Sequence, residues 1–341
     1  MRYKLFGRSG LRVSELCLGT LTFGNSPGIG ADAMESRAIF DAFADAGGNF
    51  IDTAHLYEHG LILGEELIGE FIRTNRDHFI VSTKYALSFG DDLVRSGSSR
   101  KNMMRCVDES LTRLRTDHID VYWLHYWDSS TPLEEILRGF DDLVSSGKVH
   151  YVAISDTPAW QVSRAVMLSE LRGWSRFCGI QAEYNLIERT AERELLPMAR
   201  ELGLAVCVWS PLAGGRLSGK YGLAGSSNEG RHADGQLSPR EIAIAGAVVK
   251  IAKTLGCTPS QVALAALRKI GGRNQMIPIV GARTVSQIKE NLASIEIDLD
   301  AEQVRHLDEI SSIEPGFPDT ISSGVRALAF GGKETLLDRL S

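Results

Sequence analysis

The sequence predicts a single closed (β/α)₈ barrel, and three observations carry that prediction. Short apolar, β-rich runs alternate eight times with longer helical patterns. The runs are continuously hydrophobic, as a parallel sheet buried on both faces requires. The length, 341 residues, suits one barrel with insertions, since such domains run from about 250 to more than 400 residues. An open, doubly wound sheet is the competing arrangement, and even strand spacing favours closure.

The elements follow in order. Tyr3–Phe6 and Leu11–Val13 flank Gly7–Gly10 and read as a hairpin closing the barrel floor. Candidate strands are Glu15–Leu18, Asn49–Ile51, Phe79–Ser82, Ile119–Leu124, Val149–Ile154, Gly179–Ala182, Ala205–Val208 and Met276–Val280. Between them lie amphipathic helices, such as the one carrying Ala38, Ile39, Ala42, Phe43 and Ala46 and the one carrying Met103, Val107, Ser110, Leu111 and Leu114. The strand ends fall near Thr20, Asp52, Lys84, His125, Ser155, Gln181, Trp209 and Gly281, at intervals of 32, 32, 41, 30, 26, 28 and 72 residues. Six intervals hold a strand, a loop and a helix. The seventh is too long, and its excess begins with Ala213–Leu237, which carries seven glycines. That stretch is expected to be a long mobile loop at the barrel mouth. Helices follow near Arg240–Thr254 and Gln261–Lys269. One domain is expected over 1–341, with the tail 315–341 shaping a substrate pocket.

Composition narrows the function. Hydrophobic residues make up 43% and charged residues 23%, which rules out disorder as the main state. The net charge of −6 argues against a nucleic-acid binder held by phosphate contacts. The longest apolar run, Ile242 to Val249, is far short of a membrane span. No apolar segment follows MRYKLFGRSG, so no secretory signal is expected. The five scattered cysteines form no CxxC, which points to a reduced, cytoplasmic protein without a zinc motif.

In a barrel the active site sits at the C-terminal strand ends. There the chain places Asp52 and Tyr57, then Lys84, then His125, each after a hydrophobic run. A phenol is a sluggish acid at neutral pH. A nearby ammonium stabilises the phenolate, a buried carboxylate holds that ammonium, and an imidazole orients a carbonyl oxygen. The set suits proton donation to an oxygen becoming an alkoxide. Taken singly, each residue is more often a cap or an ion-pair partner, and it is the four together at consecutive strand ends that reverse this. His55 and His59 have HxxxH spacing but no third ligand, so no metal is expected.

Two glycine motifs need sorting. Gly28, Gly30 and Ala33 fit GxGxxA, but about nine loop residues separate Leu18 from Gly28, whereas a dinucleotide fingerprint follows its strand directly. IPIVGART (Ile277–Thr284) is a strand leading through Gly281 to a helix start, where N–H groups and Arg283 suit a phosphate. A plain helix cap is the alternative.

The motifs together resemble the aldo-keto reductase family over nearly the whole chain. GRSGLRVSELCLGTLTFG (Gly7–Gly24) is similar to the family's opening hairpin and first strand, and FIDTAHLY (Phe50–Tyr57) to its FDTA…Y motif. STK (Ser82–Lys84), DVYWLH (Asp120–His125), ISD (Ile154–Asp156), QAEYN (Gln181–Asn185), WSPLAGGRLSGKY (Trp209–Tyr221) and IPIVGART continue the series in family order. The resemblance implies Tyr57 as the acid, Lys84 and Asp52 as its tuning pair, and His125 as the group orienting the carbonyl. It implies that Thr20 and Asp52 border an NADP(H) cofactor, with Ser155, Asp156 and Gln181 at the nicotinamide carboxamide and Trp209 stacked on the ring. Ser210, Leu212 and Gly214 would follow the pyrophosphate, and Gly281, Arg283, Gln287, Glu290 and Asn291 the 2′-phosphate and adenine. Arg283 favours NADPH over NADH. Many members have asparagine where Asp156 stands and tyrosine where Trp209 stands.

The expected activity is therefore NADPH-dependent reduction of an aldehyde or ketone, or the reverse alcohol oxidation. Phe23, Tyr85, Tyr126, Trp127 and Phe317 are the expected substrate-pocket walls. The alternative is a cofactor-sensing subunit like those of potassium channels. Such subunits often carry an extension before the barrel, whereas here the hairpin begins near Tyr3.

Overall fold

The computed structural model describes residues 1–24, 30–59, 62–88, 90–220, 237–271 and 274–333. Two short strands, β1 (Tyr3–Leu5) and β2 (Arg12–Ser14), pair antiparallel as the expected hairpin. Eight strands then form a closed barrel: β3 (Cys17–Gly19), β4 (Phe50–Asp52), β7 (Ile80–Tyr85), β8 (Ile119–Leu124), β9 (Val149–Ser155), β10 (Phe177–Glu183), β11 (Ala205–Trp209) and β12 (Met276–Val280). Every neighbouring pair is parallel, and β12 closes onto β3. All eight anticipated strands are present. The expectation missed a small antiparallel pair, β5 (Glu58–His59) and β6 (Ile62–Leu63), just beyond Tyr57.

Helices α1 (Ala33–Asp45), α2 (Gly64–Phe71), α3 (Arg100–Leu114), α4 (Leu133–Ser145), α5 (Ala159–Arg172) and α6 (Leu195–Leu202) separate successive strands. The long last interval holds α7 (Pro239–Leu255) and α8 (Pro259–Leu267). Each of these two starts on a capping box, Ser238 with Glu241 and Thr258 with Gln261, and has proline as its first residue. Helix α9 (Val285–Ala293) follows β12, and α10 (Ala301–Ser311) comes next. Of the glycine-rich stretch expected to be a loop, Ala213–Ser218 instead forms short 3₁₀ turns broken by a kink at Gly214 and Gly215, and residues 221–236 lie outside the described residues.

Apolar side chains pack in three bodies. One fills the space between the outer faces of the strands and the helices, with Phe40, Val107, Phe140 and Val166. A second joins α7, α8 and α10 through Val248, Val262 and Leu307. The third lies inside the barrel, where the hairpin inserts Phe6 and Val13 beneath Phe50, Trp123 and Ile277. Phe6 meets Phe50 and Trp123 edge-on at 5.7 and 6.1 Å. Gly7 lets the hairpin approach this closely: its φ is +58°, and a Cβ there would lie 2.1 Å from the Cys178 carbonyl oxygen. The floor is thus sealed, and open space is left at the strand C-termini.

Residues 312–341 form a separate compact unit, whose described part contains α11 (Asp319–Ala329). Among the described residues no single helix is long and apolar enough to cross a membrane.

Candidate active site

The C-terminal ends of β4, β7 and β8 bring the four chemically suggestive residues together. Asp52 ends β4 and is 3% exposed, and Lys84, the fifth residue of β7, is wholly buried. Lys84 Nζ donates to Asp52 Oδ2 at 2.5 Å and to the Thr53 carbonyl at 2.7 Å. Asp52 Oδ1 accepts from Ser82 Oγ at 2.8 Å and from Gln181 Nε2 at 3.2 Å. The carboxylate is thereby held by three side chains from two strands, β7 and β10.

Tyr57 lies on the loop after β4, with its ring centre 5.2 Å from Lys84 Nζ and 6.3 Å from the His125 ring. Burial pulls the Lys84 ammonium toward neutrality, but Asp52 first and Tyr57 second outweigh it and leave its pKa above the ordinary value. The ammonium stays charged. Burial, aided by the Lys84 charge, takes His125 down to about 3, so its imidazole is neutral at physiological pH.

A cavity of about 730 Å³ opens from these residues. Asp52, Tyr57 and His125 border one end, with Leu21, Leu56 and Leu87 beside them. Its lining also includes Asp156, Gln181, Trp209, Ser210, Leu212, Gly214, Gly281, Arg283, Gln287, Glu290 and Asn291. Thr20 also lines it. Of the catalytic and cofactor residues expected from the sequence, Lys84 and Ser155 do not line this cavity.

Local geometry explains the lining. Asp156 has φ +43°, and its carboxylate accepts the Trp209 indole N–H at 3.0 Å, which fixes the ring. Burial raises the Asp156 pKa, and the hydrogen bonds from the Trp209 indole and the Ser155 hydroxyl oppose the rise. Ser210, Ala213, Gly214 and Gly215 all have positive φ, turning the chain sharply along the cleft. Asn185 Nδ2 supports this turn by donating to the Ser210 carbonyl at 3.1 Å. At the far end Thr284 caps α9, Arg283 N–H donates to Gln287 Oε1 at 2.8 Å, and Asn291 Nδ2 to the Gly281 carbonyl at 3.2 Å.

The expected substrate walls need correction. Phe23 is fully buried against Phe71, with ring centres 6.4 Å apart. Tyr85 is 1% exposed, stacks on Tyr122 and donates its hydroxyl to the Ser98 carbonyl at 3.3 Å. The reason is the pleat: Lys84 points into the barrel, so Tyr85 points outward into the helix layer. Trp127 packs edge-on against Trp160, and Tyr126 is half exposed; neither lines the cavity. Phe317 belongs to the separate C-terminal unit. Leu21, Leu56 and Leu87 were missed because aliphatic loop residues carry no local signal. Lys220 was missed although it is a second cation on the cleft, inside a motif the sequence reading quoted. His55 Nε2 pairs with Glu109 Oε2 at 2.7 Å, and the side chain of His59 lies outside the described residues.

A parallel barrel with a buried Asp–Lys pair, a tyrosine and an imidazole bordering a long cleft defines a class, the barrel-fold oxidoreductases. More narrowly, residues 15–312 match the Aldo/keto reductase family, and the chain belongs to that family. It is 34% identical to norsolorinic acid reductase of Emericella nidulans, covering 91% of this chain and 81% of the relative. It is 36% identical to the NADP(+) aryl-alcohol dehydrogenase of Phanerodontia chrysosporium, covering 91% and 85%. It is also 38% identical to an uncharacterized oxidoreductase, YrpG, of Bacillus subtilis, covering 91% and 96%.

Proposed function

We propose that this oxidoreductase uses NADPH to reduce an aldehyde or ketone on an aromatic skeleton, and runs the alcohol oxidation in reverse. The observation that carries the reading is the convergence of Asp52, Lys84, Tyr57 and His125 on one end of the cleft. The cleft also fits the cofactor. Its volume suits a large ligand. Trp209 offers a fixed flat face, and Arg283 and Lys220 two cations for phosphate groups. Those cations favour NADPH over NADH.

When bound, NADPH supplies a hydride to the carbonyl carbon. Tyr57 gives its hydroxyl proton to the carbonyl oxygen as negative charge develops there. Lys84 remains an ammonium and stabilises the phenolate left behind, while Asp52 and the Thr53 carbonyl keep Lys84 aimed at the ring. Neutral His125 donates a hydrogen bond that orients the carbonyl. Leu21, Leu56 and Leu87 exclude water and favour an apolar substrate. The names of the aryl-alcohol and norsolorinic acid relatives agree with an aromatic one. The five free cysteines support a reducing, cytoplasmic setting.

The test is NADPH oxidation, followed by absorbance, with aromatic aldehydes, diketones and keto-sugars, and repeated with NADH. Turnover on the aromatic carbonyls with NADPH supports the reading. Tight NADPH binding with no turnover on any carbonyl would replace it with the cofactor-sensing one.

A further inference from the structure

At the opposite end of the barrel, two imidazoles and a carboxylate face one another on the outside of the sheet. His118 directly precedes β8, and Asp120 is the second residue of that strand. A two-residue step in extended chain puts both side chains on one face. Ile119 pairs with Val149 and Val121 with Tyr151, which sets His150 of β9 beside Asp120. A ligand atom from each of the three side chains lies within 4.8 Å of the other two. We infer that His118, Asp120 and His150 form a site for a divalent transition-metal ion of the zinc type, joining the N-terminal ends of β8 and β9.

The surroundings are those of a ligand set already oriented. Asp120 Oδ2 is anchored by Arg76 Nη2 at 2.7 Å and by the Val81 N–H at 2.9 Å, and its Oδ1 lies 3.9 Å from His150 Nδ1. Asp117 Oδ1 binds His118 Nδ1 at 2.7 Å, an outer carboxylate that keeps the proton on Nδ1 and leaves the Nε2 lone pair for a metal. Two carboxylates against one guanidinium leave the cluster at net charge −1. Two imidazoles and one carboxylate select zinc and its neighbours over calcium or magnesium, with water completing the shell. The two rings now stack, 4.5 Å apart and 21° from parallel. To chelate, His150 turns out of the stack, and its 48% side-chain exposure leaves it room. Ligand atoms around a tetrahedral ion with bonds of about 2.0 Å sit about 3.3 Å apart, so the three groups close by roughly 1.5 Å at most. Asp120 stands five residues before His125, about 16 Å along the strand, so the ion leaves the cleft untouched.

The test is titration of chelator-stripped protein lacking any polyhistidine tag, with Co²⁺ followed by absorption and Zn²⁺ by competition. One ion per chain is expected, with visible bands and no thiolate charge-transfer band. His150→Ala and His118→Ala should each weaken binding by more than about 10-fold, and Asp117→Asn by about 10-fold. In chelator His150→Ala should keep the wild-type Tm, which separates lost binding from lost folding, and Zn²⁺ should raise the Tm of the wild type only. Absence of saturable one-to-one binding, binding indifferent to His150→Ala, or a thiolate band from one of the cysteines would each overturn the site.

Discussion

Glu15 at the floor of the barrel and Asp52 at its mouth are buried about equally, and of these two only Asp52 belongs to the cleft. At the floor Glu15, 2% exposed, accepts the Arg2 backbone N–H at 3.0 Å and the Arg2 guanidinium at 3.0 and 3.2 Å, with Arg268 at 3.6 Å. At the mouth Asp52, 3% exposed, is held by Ser82, Lys84 and Gln181. Burial and satisfied hydrogen bonds do not distinguish them. The difference is what the partner cation faces. Arg2 and Arg268 tie the start of the chain to the end of α8, whereas Lys84 directs its charge at a tyrosine on the wall of a cavity. A buried ion pair becomes chemistry when it borders a space that a ligand can enter.

That contrast can be broken at either end. The largest effect is expected for Tyr57→Phe, which should cut turnover by about 10²- to 10⁴-fold while NADPH affinity, measured by fluorescence titration, stays the same. Unchanged turnover would remove Tyr57 from the proposed mechanism. Lys84→Met should abolish turnover and also cost about 3–5 kcal/mol of stability in urea unfolding, because Asp52 is left buried without its cation. A variant of full stability would mean that the mouth pair resembles an ordinary surface bridge.

Glu15→Gln at the floor should cost about 1–3 kcal/mol of stability and leave turnover per folded molecule unchanged. A fall in turnover at equal folding would erase the distinction between the two ends. The smallest effect concerns pH. His125 in the folded chain takes a proton only near pH 3, whereas unfolded histidine does so near 6.5. Between those values the unfolded state binds the extra proton, so stability falls as pH drops across the window, by up to about 1.4 kcal/mol per pH unit. His125→Gln should flatten that slope in urea midpoints measured at pH 7, 6 and 5.

Much of this was legible beforehand, for reasons of period. Eight apolar runs at near-even intervals marked the strands, and Asp52, Lys84 and His125, polar residues at or beside the strand ends, marked the candidate site because they fall together at consecutive strands. Where the period was ignored the reading failed: Tyr85 adjoins Lys84 and so faces the helix layer. Phe23 was misplaced because an aromatic in a loop looks the same whether it lines a pocket or packs on Phe71. Gln181, expected at the cofactor, donates its amide to Asp52, a contact between residues 129 positions apart that no spacing announces.

Taken alone, then, the sequence determined the order of strands and helices and the kinds of side chain at each strand end, since those follow from local periodicity and side-chain chemistry. Tertiary structure decided which of them meet. Closing the barrel set Asp52 against Lys84, Trp209 against Asp156 and His150 beside Asp120, because strand register and pleat direction are properties of the closed sheet and not of any one segment.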